Sequence, residues 1–245
     1  MSTITHDYLI FCYKYNGMDF HVVAQPIVSN SSGKITAVEL LPKCYKEACF
    51  DGLYLESGVN DLAKMACIKM QALSNIVLDF RRFNMHINID VSALLNSEFI
   101  SAAMNNHHRF SFEVKGFDYD YELMQKVRSA ISKLKEYGHE VWLDHFGVNS
   151  SSLCTLLDYP WSGIKIDKEI VWRSSMHQLL LIVEVCKCHV DKIILDGIES
   201  NDLLSLSKIS MATESQGYHW PLLKRNDFFA LNKKLRSLSK GFYNN

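Results

Sequence analysis

Short runs in which every second residue is apolar alternate along the chain with longer runs in which apolar residues return every three to four positions. The first period belongs to a strand with one buried face, the second to an amphipathic helix. Strands are predicted over 19–28, 34–41, 85–91, 110–114, 140–144, 163–166 and 192–195. In 85–91 the residues Ile87, Ile89 and Val91 take alternate positions. Helices are predicted over 60–76, 120–137, 151–157, 174–188, 201–209 and 227–239. The second of these carries Leu123, Val127, Ile131 and Leu134 on one face and stops at Gly138, a residue suited to the position just past a helix. Alternation of strand and helix over most of the chain predicts an α/β fold with a parallel sheet. At 245 residues it favours a (β/α)8 barrel over an open doubly wound sheet. No Gly-x-Gly-x-x-Gly and no P-loop follows any predicted strand, which argues against a dinucleotide-binding sheet.

The composition changes this picture little. With 26 Lys+Arg against 27 Asp+Glu there is no global attraction to nucleic acid or anionic membrane. No apolar run reaches the ~18–20 residues that a membrane span needs, and the first residues lack the pattern of a signal peptide. The seven cysteines are scattered and odd in number, so they read as reduced thiols and the chain as cytoplasmic. Cys186-Lys187-Cys188-His189 has no second pair with metal-ligand spacing and reads as a helix end. No Pro-, Gly- or Ser-rich linker divides the chain.

In a (β/α)8 barrel the chemistry sits at the C-terminal ends of the strands. Those ends carry Glu39, Asn88, Glu113, Asp144 with His145, Lys165 and Asp196, and Gln216 precedes Gly217-Tyr218. A charged residue inside an apolar strand is costly unless it is paired or belongs to a site. Acidic residues, an Asn and a Lys converging on one barrel mouth would suit an oxygen-loving cation such as Mg2+ or Mn2+. They would also suit hydrolysis of a phosphodiester, in which metal polarises the phosphoryl oxygens and activates water.

These residues stand in stretches that together resemble the EAL-domain phosphodiesterases of cyclic di-GMP, from about residue 19 to 238. Gln25-Pro26-Ile27-Val28 is similar to the family's Gln-Pro-Ile-Val, and Val38-Glu39-Leu40-Leu41 stands in place of its Glu-Ala-Leu. Ile87-Asn88-Ile89, with Phe99 after it, and Phe112-Glu113-Val114 follow in order. Then come Leu143-Asp144-His145-Phe146-Gly147 with Ser151-Ser152-Leu153, Ile164-Lys165-Ile166-Asp167, Asp196-Gly197-Ile198-Glu199 and Gln216-Gly217-Tyr218. The resemblance implies a modified (β/α)8 TIM-like barrel of the EAL type, formed by residues 19–245, with 1–18 as an extension packed on it. It implies metal ligands at Glu39, Asn88, Glu113 and Asp144, with Lys165, Asp196 and Gln216 near the reacting phosphate or its water. Gln25 and Lys43 would belong to the nucleotide site.

The chain departs from the family pattern where catalysis would occur. His145 replaces a second Asp and so removes a hard anionic ligand. Asp196 stands for Glu, which draws its carboxylate back by roughly 1.5 Å. Gly116 stands for a bracing Glu, Val148-Asn149-Ser150 rewrites the loop after Asp144, and Lys43 replaces an Arg that would fork onto phosphate. From these departures the site is expected to be vestigial and the chain catalytically inactive, with no cofactor and with cyclic di-GMP binding absent or weak. Degenerate members of this kind imply a non-enzymatic regulator that binds a protein, the flagellar master transcription activator, and represses flagellar genes and motility. Direct DNA binding is not expected, because no base-reading motif is present and the basic stretch Lys224, Arg225, Lys233, Lys234, Arg236, Lys240 reads as a solvated helix face. The alternative is a cyclic di-GMP receptor or slow phosphodiesterase that uses Mg2+ or Mn2+; an unrelated barrel enzyme is a third reading.

Overall fold

A computed structural model describes residues 6–44, 59–76, 84–115, 121–148 and 151–231. Nine strands follow in chain order: β1 Phe11–Tyr15, β2 Met18–Ser29, β3 Ile35–Cys44, β4 Asn84–Asp90, β5 Phe110–Lys115, β6 Glu140–Phe146, β7 Gly163–Ile166, β8 Ile193–Leu195 and β9 Glu214–Ser215. Each pairs with the next, and β2 also pairs with β9, so β2 to β9 close into an eight-stranded barrel. The sheet is parallel only from β3 to β9; β2 runs antiparallel to both of its barrel neighbours. That is a departure from the all-parallel sheet that the alternation predicts. Its cause is local: Ser29–Lys34 turns β2 straight back into β3, with Gly33 at φ +66 and no crossover helix.

β1 lies outside the closed ring and pairs antiparallel with β2. The turn between them is Asn16-Gly17, with φ of +48° and +75°, the backbone that a two-residue hairpin demands. Ile10 and Tyr13 are buried by this hairpin in the main core.

The helices that cover the barrel include α1 Val59–Asn75, α2 Ser97–Met104, α3 Tyr121–Glu136, α4 Leu153–Asp158, α5 Lys168–Arg173, α6 Met176–Lys187 and α7 Asn201–Ile209. The helix predicted over 174–188 is α6, and the sequence reading has no counterpart for α5 just before it. The Asp167 side chain caps α5, Ser174 turns extended, and Ser175 with Gln178 forms a capping box that starts α6. The sequence reading also lacks α2, which Asn96 caps by accepting from the amides of Glu98 and Phe99. The predicted closing helix is described over 225–231; Lys233, Lys234, Arg236 and Lys240 lie outside the described residues, as do Gly116, Asn149 and Ser150.

Period-two alternation sorts the strands into an outer and an inner face. Met85, Ile87 and Ile89 belong to the main core under the helices. A separate buried cluster of Ile27, Ala37, Trp142 and Ile194 fills the inside of the barrel. Each of these lies two residues from a predicted site residue on its own strand, namely Gln25, Glu39, Asp144 and Asp196, and so on the same face. An apolar plug therefore supports a polar layer at the mouth. Gly163 makes room for the plug: a Cβ there would sit 2.6 Å from the Trp142 ring. Gly163→Ala is expected to destabilise the fold by about 1–3 kcal/mol through overpacking, read as a lowered denaturant midpoint at unchanged slope.

Candidate active site

The polar layer at the C-terminal ends of the barrel strands is a single hydrogen-bonded set. Glu39 on β3 is its hub. Its Oε2 accepts from Lys165 Nζ at 2.7 Å and from Gln216 Nε2 at 2.7 Å, and its Oε1 accepts from the Asn88 amide. Lys165 also donates to Glu113 Oε2 at 3.0 Å. Glu113 Oε1 in turn accepts from His86 Nδ1 at 2.7 Å. β3, β4, β5 and β7 each present one or two of these side chains, and the backbone just after β9 presents Gln216. Gln216 is followed by Gly217 at φ +155, where a Cβ would collide with the backbone of Ile198; glycine lets the two chains close on each other.

Asp144 and Asp196 complete the layer at the ends of β6 and β8. Burial pushes both carboxyls above the usual range, while the Lys165 ammonium pulls them back. Glu39 goes the other way. Burial alone would raise it, but Lys165 and the hydrogen bonds from Lys165, Asn88 and Gln216 hold it down to about 2. Burial opposes the charge on Lys165, yet Glu113, Glu39, Asp144 and Asp196 keep its ammonium well above the ordinary value. Four carboxylates thus share one buried cation.

His145 sits at the rim, in a left-handed backbone at φ +52. Its Nδ1 lies 2.7 Å from Asp167 Oδ2 and its Nε2 lies 3.3 Å from Asp144 Oδ2. Burial disfavours its protonation, but Asp144 and Asp167 outweigh that and raise its pKa. The imidazole therefore bridges two carboxylates where the family pattern has a further acid. Gln25 is buried on β2 directly opposite Glu39 in the strand register, and Lys43 lies further along β3. Neither takes part in the hydrogen bonds just described.

Two contributors escape the sequence reading. His86 is fully buried, packs against Trp142 with ring centroids 4.9 Å apart and planes tilted by 58°, and fixes Glu113. Its signal was its place two residues before Asn88 on one strand face. Lys69 on α1 is also buried, and burial pulls its ammonium down to about 8 against the attraction of Glu39.

The donor chemistry of Glu39, Asn88, Glu113 and Asp144 fits a hard divalent cation, since all four offer oxygen. One buried acceptor in the layer is also unused: Gln216 Oε1 has no hydrogen-bond partner among the described residues, although the side chain is 1 % exposed. An orphaned buried acceptor calls for a donor from a water or a ligand. The carboxylates are at present drawn onto Lys165, and no three His, Cys, Asp or Glu side chains among the described residues converge as a metal-ligand group. No helix among the described residues is long and apolar enough to cross a membrane.

Comparison with known proteins agrees with this layout. The EAL domain profile matches residues 16–221. The probable cyclic di-GMP phosphodiesterase PdeB of Escherichia coli (strain K12) is 28 % identical over 202 residues, covering 75 % of this chain and 38 % of that protein. The chain spans less than half the length of the curated relatives it matches. The crystal structure of the EAL domain of Mycobacterium smegmatis DcpA superposes with a TM-score of 0.67 at 18 % identity, covering 87 % of this chain and 95 % of that one. The manganese and cyclic di-GMP complex of Klebsiella pneumoniae BlrP1 gives 0.66 at 16 % identity, covering 85 % of this chain and 57 % of that one. The modified barrel of the EAL type is therefore the fold. The expectation of a catalytically inactive chain is overturned: the curated relatives are named as phosphodiesterases, and neighbouring structures are EAL enzymes holding cyclic nucleotides. That expectation weighed His145, Asp196, Gly116, the loop 148–150 and Lys43 by residue type, while the buried layer of Glu39, Asn88, Glu113, Lys165 and Gln216 is assembled.

Proposed function

Because the chain belongs to the EAL domain family, we propose that it binds cyclic di-GMP at the barrel mouth and slowly hydrolyses one of its phosphodiester bonds with Mg2+ or Mn2+. The observation that carries this reading is the hydrogen-bonded layer around Glu39, with the open acceptor of Gln216 beside it. Glu39, Asn88, Glu113 and Asp144 would hold the metal, which supplies Lewis acidity and an activated water when bound. Lys165, released from Glu113, neutralises charge that develops on the phosphoryl oxygens. Gln216 Oε1 accepts from the attacking water and orients it. Asp196, its carboxyl raised by burial, is suited to take the water's proton. His145 supplies no hard carboxylate, and Asp196 reaches less far than a Glu; both slow the reaction. The family resemblance also supports a protein partner, the flagellar master transcription activator, to be sought by pull-down with and without cyclic di-GMP.

The test is calorimetric titration with cyclic di-GMP in Ca2+, followed by chromatography of the products in Mn2+. Ca2+ tolerates irregular oxygen coordination and serves as the binding cation. Binding with a Kd on the order of micromolar is expected, with linear dinucleotide formed in Mn2+ and both lost in Glu39→Ala. No heat in Ca2+ and no product in Mn2+ would overturn the reading.

A further inference from the structure

At the opposite end of the barrel the N-terminal ends of β3, β8 and β9 surround a cavity of about 600 Å³. It is lined among others by Lys187, Lys192 and Lys208, which come from the last turn of α6, the approach to β8 and the last turn of α7. We propose that this floor cavity binds a small phosphorylated molecule, held by Lys187 and Lys208 with Lys192 at its edge.

One carboxylate, Glu214, lines the cavity together with these lysines. Glu214 accepts from the Thr36 hydroxyl. Glu140 accepts from Trp142 Nε1 at 3.0 Å, Ser111 Oγ at 3.0 Å and Asn84 at 3.2 Å, and it pairs with Lys192. Lys187 has only a 3.5 Å approach to the Met211 carbonyl, and no ion pair joins Lys208 to any described residue. Three exposed lysines and one carboxylate, Glu214, thus line one concavity, an excess of positive charge that favours a bound anion. Lysines in the last turn of a helix commonly face its carbonyl ends, which accounts for Lys187 and Lys208 one at a time. It does not account for their meeting over one cavity with Lys192 brought in by a third element.

The cavity wall is also built with strain and rigidity. Three non-glycine residues among the described ones have positive φ: Asn16 in the hairpin turn, His145 in the candidate active site, and Met211 at φ +67 on this wall. Met211 stands just past α7, where a left-handed backbone commonly ends a helix, although the residue there is usually glycine. Asn30 fixes the wall by donating to the Ala212 carbonyl at 2.9 Å and accepting from Ser215 Oγ at 2.7 Å. The volume lies within the range of small-ligand sites, which favours a small phosphorylated molecule over an acidic protein surface.

Inorganic pyrophosphate is the probe, titrated into the full chain at low ionic strength. Saturable one-to-one binding is expected. It should weaken about tenfold or more in the double variant Lys187→Ala with Lys208→Ala, and stay unchanged in Lys126→Ala with Lys133→Ala, two lysines on the outer helix α3. Cyclic di-GMP should not displace it, since the candidate active site is at the other end of the barrel. Absence of saturable heat up to ~10 mM, equal loss in both double variants, or competition by cyclic di-GMP would overturn the proposal.

Discussion

Lys165→Met is expected to cost the metal-free protein about 3–5 kcal/mol of stability, the usual penalty for removing one partner of a buried ion pair. Lys165 is 5 % exposed and donates to Glu39 and Glu113, while Asp144 and Asp196 also lean on its charge. Methionine fills much the same volume, so packing changes little and the loss is electrostatic. Glu39 and Glu113 lose the ammonium that donates to both, and Asp144 and Asp196 lose its attraction. The pH dependence follows from the same charges. Glu39 is held at about 2, so the folded state takes up its proton less readily than the unfolded chain. The stability this gives is present above the ordinary carboxylate value and is lost as pH falls through about 2. The raised Lys165 ammonium gives stability that is complete below its ordinary value and is lost only as pH rises through its higher folded value. Without Lys165 its own contribution vanishes and Glu39 keeps only the hydrogen bonds from Asn88 and Gln216, so the acid transition of the metal-free protein moves up. A divalent cation supplies the missing charge and binds only the folded state, so Mn2+ should recover part of the loss. Denaturant melts in chelator and in Mn2+ measure this. A variant as stable as the parent in chelator, or one that Mn2+ leaves unchanged, would show that Lys165 is not the counter-ion of a cation site.

The outline of this layer was legible in the sequence because a strand turns its side chains by strict alternation. Glu39, Asn88, Glu113, Asp144, Lys165 and Asp196 each stand at the end of a predicted apolar run. The wiring between them was not legible. Lys165 meets Glu39 across 126 residues and Gln216 meets it across 177, and nothing local encodes such contacts. The parallel barrel was legible except at β2, which a short turn sends back antiparallel into β3. The hairpin of β1 and β2 had its signal in Asn16-Gly17 between two apolar runs, but the first run, 8–13, read as a packing segment. α2 and α5 were lost for a different reason. They are decided by the caps Asn96 and Asp167, single residues whose effect a hydrophobic period averages away. The judgement on activity failed because the departures were weighed without the buried layer that surrounds them.

His145→Asp tests those surroundings directly, and its two expected effects have opposite sign. Aspartate tolerates the left-handed backbone at φ +52 about as well as histidine does, so the substitution acts through charge. In the metal-free protein the imidazole bridge between Asp144 and Asp167 is lost and a further carboxylate is placed beside both. A loss of about 1–3 kcal/mol is expected, since one buried hydrogen bond goes and like charges are brought together. With a divalent cation the same carboxylate becomes a hard oxygen ligand in place of an imidazole that suits Mg2+ poorly. Mg2+ should then stabilise the variant more than it stabilises the parent, and cyclic di-GMP hydrolysis in Mg2+ should rise about tenfold or more. Thermal melts across a Mg2+ series, read beside product formation, separate these effects. A gain in metal-dependent stability with a gain in rate places position 145 at the metal and makes the histidine the brake on turnover. A variant that is unchanged in chelator and no faster in Mg2+ would mean that the imidazole holds the rim alone, and that the slow step lies elsewhere, with the short reach of Asp196 the next residue to lengthen.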